Sequence, residues 1–221
     1  MLTQIVWIVL AAVLSFSIAA IFAGWLKLRR GLYLVFYIVV MAAFFVAFIV
    51  SNDVDVTQIL SYNWYWGLLG AVAAGALAIG NVLSQPASKR RTGRGYVADL
   101  LWPGFSYGLI DALILSVLPI LAIRQAFDGA AWTDGFAGQI GLGALALAAS
   151  FFVTALYHLG YPEYRNKRVF WTMMGNGIFS VAYLLTMNPL AAILPHIAMH
   201  MTAMTHGRET TGQVPPHYEK D

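Results

Sequence analysis

The sequence predicts an all-α protein, a polytopic membrane helical bundle of about seven transmembrane helices. The first observation is composition: 60% of the 221 residues are hydrophobic and only 10% are charged, whereas a soluble domain carries about a quarter charged residues. The second is the recurrence of apolar runs of about 20 residues, the length that crosses a bilayer. The third is the placement of Lys and Arg, which fall almost entirely in alternate loops. We therefore expect a chain that is integral to a lipid bilayer.

Seven runs qualify as spans, and they predict a single bundle over residues 1–207 with a polar cytoplasmic tail at 208–221. The predicted spans are Thr3–Ala23, Leu32–Val50, Trp64–Leu83, Phe105–Ile123, Phe136–Gly160, Phe170–Met187 and Pro189–Thr205. No basic segment precedes the first run, which indicates a spanning helix rather than a cleavable signal peptide. The third is rich in Gly and Ala at three- and four-residue spacing, a pattern that lets helix backbones approach closely.

The basic residues predict the orientation of the bundle. Twelve of the thirteen Lys and Arg residues follow the first, third, fifth or seventh span, and only Arg124 falls on the opposite side. Since cytoplasmic loops carry the excess of Lys and Arg, the N-terminus is expected outside and the C-terminus in the cytoplasm. The expected location is a bacterial inner (plasma) membrane. The net charge of +3 belongs to these loops, so the expected partner is the lipid bilayer and not nucleic acid.

Four ionisable residues lie inside the predicted spans: Asp111 on the fourth, His158 on the fifth, and His196 and His200 on the seventh. Ionisable groups are costly in a bilayer and tend to face the interior of a bundle, where they have a partner or a task. With a rise of about 1.5 Å per residue, all four fall in the cytoplasmic half, within about 10 Å of one another in depth. They are therefore predicted to share one pocket.

The residue types in this pocket match the ligands of zinc. His196 and His200 are four residues apart and so share one helix face. Together with His158 and the carboxylate of Asp111 they offer the imidazole and carboxylate ligands that zinc accepts, and a catalytic site keeps one further position for water. The chain has no cysteine, so thiolate ligands are excluded, and no Glu stands between the histidines as in the H-E-x-x-H motif. His206 is expected at the surface, past the end of the seventh span.

The order of these residues along the chain resembles the CPBP family, the CAAX prenyl protease and bacteriocin-processing (Abi) type of intramembrane protease. That family has a Glu-Glu-x-x-x-Arg motif on one helix, Phe-x-x-x-His on the next and His-x-x-x-Asn/Asp on a late helix. Residues 150–166, "SFFVTALYHLGYPEYRN", are similar to the second region. Residues 170–200, "FWTMMGNGIFSVAYLLTMNPLAAILPHIAMH", resemble the last two helices. The resemblance covers about residues 105–204.

His158 and His196 match the family motifs outright, whereas other motif positions differ. The differences are Ile110-Asp111 or Asp111-Ala112 in place of the Glu pair, Leu115 or Ser116 in place of the Arg, Thr154 in place of the Phe, and His200 at the last position. The resemblance implies a peptide-bond hydrolase acting near the cytoplasmic face. In it Asp111 would be the general base or a metal ligand, His158 and His196 would orient water or the oxyanion, and His200 would be a ligand or supporting group.

Two other interpretations stay open. A catalytically degenerate relative would be a subunit or scaffold that binds a membrane-protein partner instead of a peptide substrate, and its buried histidines would be neutral hydrogen-bond donors between helices. A haem or pigment protein would use His158 and one histidine of the seventh span as axial ligands, because two histidines on one helix cannot approach one iron from opposite faces. The sequence leaves the cofactor open, with zinc the first candidate and haem the second.

Overall fold

The computed structural model describes residues 1–207, and within that range every regular element is a helix. The helices are α1 (Leu2–Trp25), α2 (Arg30–Ser51), α3 (Val56–Ser61), α4 (Trp64–Leu83), α5 (Gly93–Ala126), α6 (Gly135–Leu159), α7 (Arg168–Thr186) and α8 (Leu190–His206). Single 3₁₀ turns occupy Ala131–Thr133 and Pro162–Tyr164. The predicted polar tail, 208–221, lies outside the described residues. The all-helical class expected from the sequence is confirmed.

Six of these helices are long and apolar enough to cross a membrane: α1, α2, α4, α5, α6 and α7. The chain is therefore a multi-pass membrane protein. The predicted seventh span forms α8, whose 17 residues are at the lower end of the about 17 to 25 that a crossing takes. Much of α8 is nevertheless buried, including Ala191, Ala192, Ala203 and both of its central histidines. It is a short inner helix of the bundle, enclosed by its longer neighbours.

The helix α5 forms the centre of the bundle. In its most apolar stretch 83% of the residues are buried, compared with 28–39% in the other five long helices. It begins at Gly93, twelve residues before the predicted start at Phe105, and so contains Pro103. A proline lacks the N–H of a normal helical residue, but here it sits in a π-helical segment, Leu100–Ser106, whose wider turns accommodate it. The sequence-based boundary was therefore wrong.

The short helix α3 was not expected from the sequence either. Its N-cap is Asp55, whose Oδ1 accepts a hydrogen bond of 2.9 Å from the backbone N–H of Gln58. Such a cap satisfies one of the free N–H groups of the first turn. With only six residues, the helix is too short for hydrophobic periodicity to reveal it.

The small residues of α4 allow α8 to lie close against it. A Cβ atom on Gly70 would lie 3.0 Å from the Cβ of Ala191, and one on Gly75 would lie 3.7 Å from the Cβ of Pro195. Gly67 is tighter still, because an added Cβ would lie 2.5 Å from Oδ1 of Asn188. These contacts agree with the close helix approach that the glycine and alanine spacing predicts. They fix the position of α8, on which two of the predicted site residues lie.

Candidate functional site

The carboxylate of Asp111 faces the imidazoles of His196 and His200 at the centre of the bundle. Its Oδ2 lies 3.9 Å from Nε2 of His196 and 3.9 Å from Nε2 of His200. One ligand atom from each of the three residues can be chosen so that all lie within 4.8 Å of one another. All three side chains are buried. The structure thus brings together three of the four residues that the sequence singles out.

The helical spacing of α8 presents both histidines to the same point. The two imidazole rings are one turn apart and stack nearly parallel, with centroids 5.3 Å apart and planes 11° apart. The ring of Phe179 on α7 packs against His196, with centroids 4.8 Å apart. Tyr107 on α5 meets His200 edge-on at 4.8 Å. Packing on both sides therefore restricts each ring before any ligand binds.

A glycine on α5 brings Asp111 to this pair. A Cβ atom at Gly108 would lie 3.0 Å from the Cα of Ile197 and 3.1 Å from Cδ2 of His200, so the two helices can meet this closely only if the residue is glycine. Asp111 follows three residues later and so lies on the same face. Its short α-helical segment, Tyr107–Ala112, is bounded on both sides by π-helical turns, which occur frequently at functional sites.

A buried tyrosine holds the other oxygen of Asp111. The hydroxyl of Tyr37 on α2 donates a hydrogen bond of 2.8 Å to Oδ1, which leaves Oδ2 facing the histidines. Four more buried tyrosines form a chain of hydroxyl–hydroxyl hydrogen bonds beside it, in the order Tyr107, Tyr157, Tyr161 and Tyr33. The ring of Tyr37 stacks on that of Tyr157 at 5.0 Å. The orientation of the carboxylate is therefore fixed by a rigid aromatic cluster.

One cavity of about 320 Å³ has all four predicted residues in its wall. His158 lines it but is not one of the three residues whose ligand atoms cluster. Its Nδ1 lies 2.8 Å from the carbonyl oxygen of Thr154. Because a carbonyl only accepts, Nδ1 must carry the proton, so Nε2 of the neutral ring is an acceptor. His158 therefore offers the cavity a proton acceptor.

The cavity reaches the surface between the last turn of α4 and the first turn of α7. Exposed Asn81, Arg168 and Trp171 line this mouth. Tyr164 lies beside them, beyond the helix ends; burial, and after it the carboxylate of Glu163, raises the pKa of Tyr164 to about 12. Its hydroxyl is therefore neutral at physiological pH. The mouth lies at the end of the bundle that bears the basic loops.

A cluster of uncharged polar side chains adjoins the cavity. Asn176 on α7 accepts a hydrogen bond from Ser116 through Oδ1 (2.9 Å) and donates through Nδ2 to Ser150 (3.0 Å) and Thr154 (2.9 Å). Ser180 donates to Ser116 at 3.0 Å. These bonds connect α5, through Ser116, to α6 and α7. Asn176 also contributes to the cavity wall.

The tyrosines and this polar cluster were not predicted from the sequence. A signal was present, because Tyr33 and Tyr37, and Tyr107 and Asp111, are each four residues apart and so share one helix face. His206, expected at the surface, ends α8 and is partly buried, with Nε2 2.7 Å from the carbonyl oxygen of Gln85.

Comparison with protein-family models, with curated proteins and with solved structures finds no match to the chain.

Proposed function

We propose that the protein is a metal-dependent intramembrane hydrolase that cleaves a peptide bond near the cytoplasmic face of the membrane. The observation that carries the proposal is the spacing of Asp111, His196 and His200. The separations of 3.9 Å between Oδ2 and each Nε2 are too long for hydrogen bonds. Two ligands at ~2.1 Å from one tetrahedral zinc ion lie ~3.4 Å apart. The two carboxylate–imidazole separations are about 0.5 Å longer than this, and all three ligand atoms lie within 4.8 Å of one another. A zinc ion would therefore draw the three side chains closer together.

The donor set suits a catalytic rather than a purely structural ion. Three protein ligands of the two-histidine, one-carboxylate type leave a fourth position open for water. Zinc in such a site acidifies the bound water and polarises a carbonyl group. The 320 Å³ cavity beside the three residues provides room for the substrate carbonyl. The single carboxylate also partly offsets the charge of the ion inside an apolar bundle, where an uncompensated charge is costly.

The neighbouring residues have separate tasks in this proposal. Tyr37 holds Oδ1 of Asp111 by its hydrogen bond, so that Oδ2 stays directed at the histidines. His158 takes a proton from the attacking water at its Nε2, and returns it to the leaving amine, because its Nδ1 is occupied by the carbonyl of Thr154. Both side chains are held in place by hydrogen bonds before a substrate binds, which lowers the entropic part of the barrier.

The proposed topology has seven crossings, with the N-terminus outside, the C-terminus in the cytoplasm and the chain in a bacterial inner membrane. The distribution of Lys and Arg supports this orientation. It places the cavity mouth, with Arg168, on the cytoplasmic side. Membership of a CPBP-like lineage is part of the proposal, since His158 and His196 match that family's motifs in chain order. A peptide substrate would then enter between α4 and α7.

The first test is the metal content of the purified protein. In mild detergent without added metal, the wild type is expected to contain about one zinc per chain by elemental analysis, as expected for three-ligand coordination. The double variant His196→Ala, His200→Ala is expected to contain none. A His206→Gln variant is the matched control, because it removes a histidine of the same helix that does not line the cavity. Peptide hydrolysis by membranes bearing each protein should follow the zinc content.

Other results would overturn the proposal. A metal-free wild type with no gain of activity on adding zinc would exclude a metal-dependent hydrolase and leave the subunit or scaffold interpretation. Metal-free protein that cleaves peptides would instead make Asp111 the general base without an ion. A Soret band in the visible spectrum, absent from a His158→Ala variant, would identify a haem protein. A zinc content unchanged in the double variant would place the metal elsewhere.

A second prediction concerns Tyr37. A Tyr37→Phe variant should keep its fold and lower zinc affinity about 10- to 100-fold, because a metal-bound carboxylate loses the hydrogen bond that orients it. Zinc affinity can be measured by competition with a coloured chelator. Tyr33→Phe is the control, since this neighbouring tyrosine bonds to Tyr161 rather than to Asp111. Equal affinities in Tyr37→Phe and the wild type would mean that the hydrogen bond does not orient a ligand.

A further inference from the structure

Arg124 stands apart from the other basic residues, at the opposite end of the bundle. It lies in the last turn of α5, and its Nη1 is 3.0 Å from the thioether sulfur of Met187. A thioether is a weak acceptor, so this contact does little to compensate a guanidinium charge. Asp128 and Asp134 lie in the segment that follows α5, and neither forms an ion pair with Arg124 in the described part of the chain. The cation is half-buried without an anionic partner in residues 1–207.

Two cavities meet at this arginine. One, of about 270 Å³, lies towards Tyr62 and Ile120, and the other, of about 390 Å³, lies towards Phe136 and Ile140. Arg124, Leu184 and Met187 belong to the walls of both. Most of the remaining wall of the second cavity is hydrocarbon. The guanidinium of Arg124 is therefore flanked by two largely apolar cavities.

The second cavity opens on the surface that faces the lipid. Phe136 on α6 is 84% exposed, Leu185 on α7 is 80% exposed and Ile140 is 57% exposed. All three lie within two turns of a helix end, as Arg124 does. Helix ends are where lipid headgroups meet a membrane protein, and basic side chains close to them extend their charged groups to that level.

We infer that Arg124 and the groove between α6 and α7 form a binding site for an anionic phospholipid. The phosphate of the headgroup pairs with the guanidinium of Arg124, which presents planar donors suited to phosphate. One acyl chain lies in the groove along Ile140 and Gly143. An anionic phospholipid joins a phosphate, which complements the cation, to a hydrocarbon chain, which complements the adjoining apolar groove. The site lies on the side of the bundle opposite the Asp111 cavity and does not depend on the proposed hydrolase activity.

Two substitutions test the two halves of the site separately. Arg124→Gln removes the charge and keeps a polar side chain. Gly143→Leu fills the groove without touching Arg124, since no atom lies within 4 Å of a Cβ placed at Gly143. Lys167→Gln is the control for loss of one positive charge, at the opposite end of the bundle. Each protein is purified in detergent, and its thermal unfolding is followed while lipid is added.

Phosphatidylglycerol is the probe, with a diacylglycerol of the same chains and inorganic phosphate as the two other arms. We expect phosphatidylglycerol to raise the unfolding temperature of the wild type and of Lys167→Gln in a saturable manner, as any ligand specific to the folded state does. Arg124→Gln should raise the apparent dissociation constant about fivefold or more, the equivalent of one lost basic contact. Gly143→Leu should lose the stabilisation as well.

Three outcomes would overturn the assignment. Equal stabilisation of the wild type and Arg124→Gln by phosphatidylglycerol would mean that the arginine does not hold the phosphate. Diacylglycerol that acts as well as phosphatidylglycerol would reduce the site to an apolar groove. Stabilisation by inorganic phosphate that Arg124→Gln abolishes and Gly143→Leu retains would indicate a site for a free anion, not for a lipid.

Discussion

Asp111→Asn protein is expected to lose its zinc and its hydrolytic activity while remaining folded. The amide is nearly isosteric with the carboxylate and keeps an oxygen for the hydroxyl of Tyr37, but it removes the only negative charge of the ligand group. Leaving a buried charge without its partner costs about 3–5 kcal/mol. That cost corresponds to a zinc affinity lower by about 10² to a few times 10³, at about 1.4 kcal/mol per factor of ten. Chelator competition measures it directly.

The direction of the change in unfolding temperature distinguishes the loss of a zinc ligand from misfolding of the variant. Without metal, the wild type carries a carboxylate among neutral groups in an apolar bundle, which is costly, so the metal-free Asp111→Asn protein should unfold at the same temperature or higher. With zinc, the wild type should be stabilised and the variant should not. Asp134→Asn, an exposed carboxylate, is the control. A variant that is less stable without metal and that still binds zinc would contradict the assignment of Asp111 as a ligand.

Asn176→Ala is expected to lower the free energy of unfolding by about 2–3 kcal/mol. The substitution removes hydrogen bonds to Ser116, Ser150 and Thr154, three side chains that are fully buried. The loss is less than the sum of three full hydrogen bonds because Ser150 and Ser180 remain bonded to each other at 2.8 Å. Unfolding in mixed micelles with increasing denaturing detergent provides the measurement.

Asn81→Ala is the matched control for Asn176, since both side chains line the same cavity but Asn81 is exposed. Its stability should change by less than about 0.5 kcal/mol, as for an ordinary surface position. Equal losses in the two variants would mean that the polar cluster contributes nothing specific. An unchanged Asn176→Ala protein would mean that the serines satisfy one another without it.

The long helices could be predicted because hydropathy alone decides them in a membrane. The boundary of α5 could not, because Pro103 and the preceding polar residues indicate a loop by the usual rules. Those rules apply to regular α-helix, and the π turns of Leu100–Ser106 relax them. Whether such turns form depends on the packing of α5 inside the bundle, which no local pattern encodes.

Only the ionisable residues of the candidate site could be predicted from the sequence. Asp111, His196 and His200 attract notice because an ionisable group in a span is rare and costly. Tyr37 and Asn176 do not, since tyrosine is common at membrane interfaces and a neutral amide costs little when it finds a partner across a helix interface. Depth along each helix could be estimated from the sequence, and His158 lines the same cavity as the other three residues. The rotation of each helix about its axis could not be estimated from the sequence. The distance of His158 from the other three residues was therefore not predicted.

The shortness of α8 has a consequence for the interior of the bundle. Its 17 residues extend about 25 Å, less than the about 30 Å of hydrocarbon in a bilayer. Its last turn is capped by the segment after α4, whose Ser88 N–H donates to the carbonyl of His206 at 3.1 Å. Because longer helices enclose α8, the bilayer need not thin to match its length. Polar backbone instead lies at the end of α8 inside the bundle, which shortens the distance over which a polar chain must be dehydrated on its way to the centre of the protein.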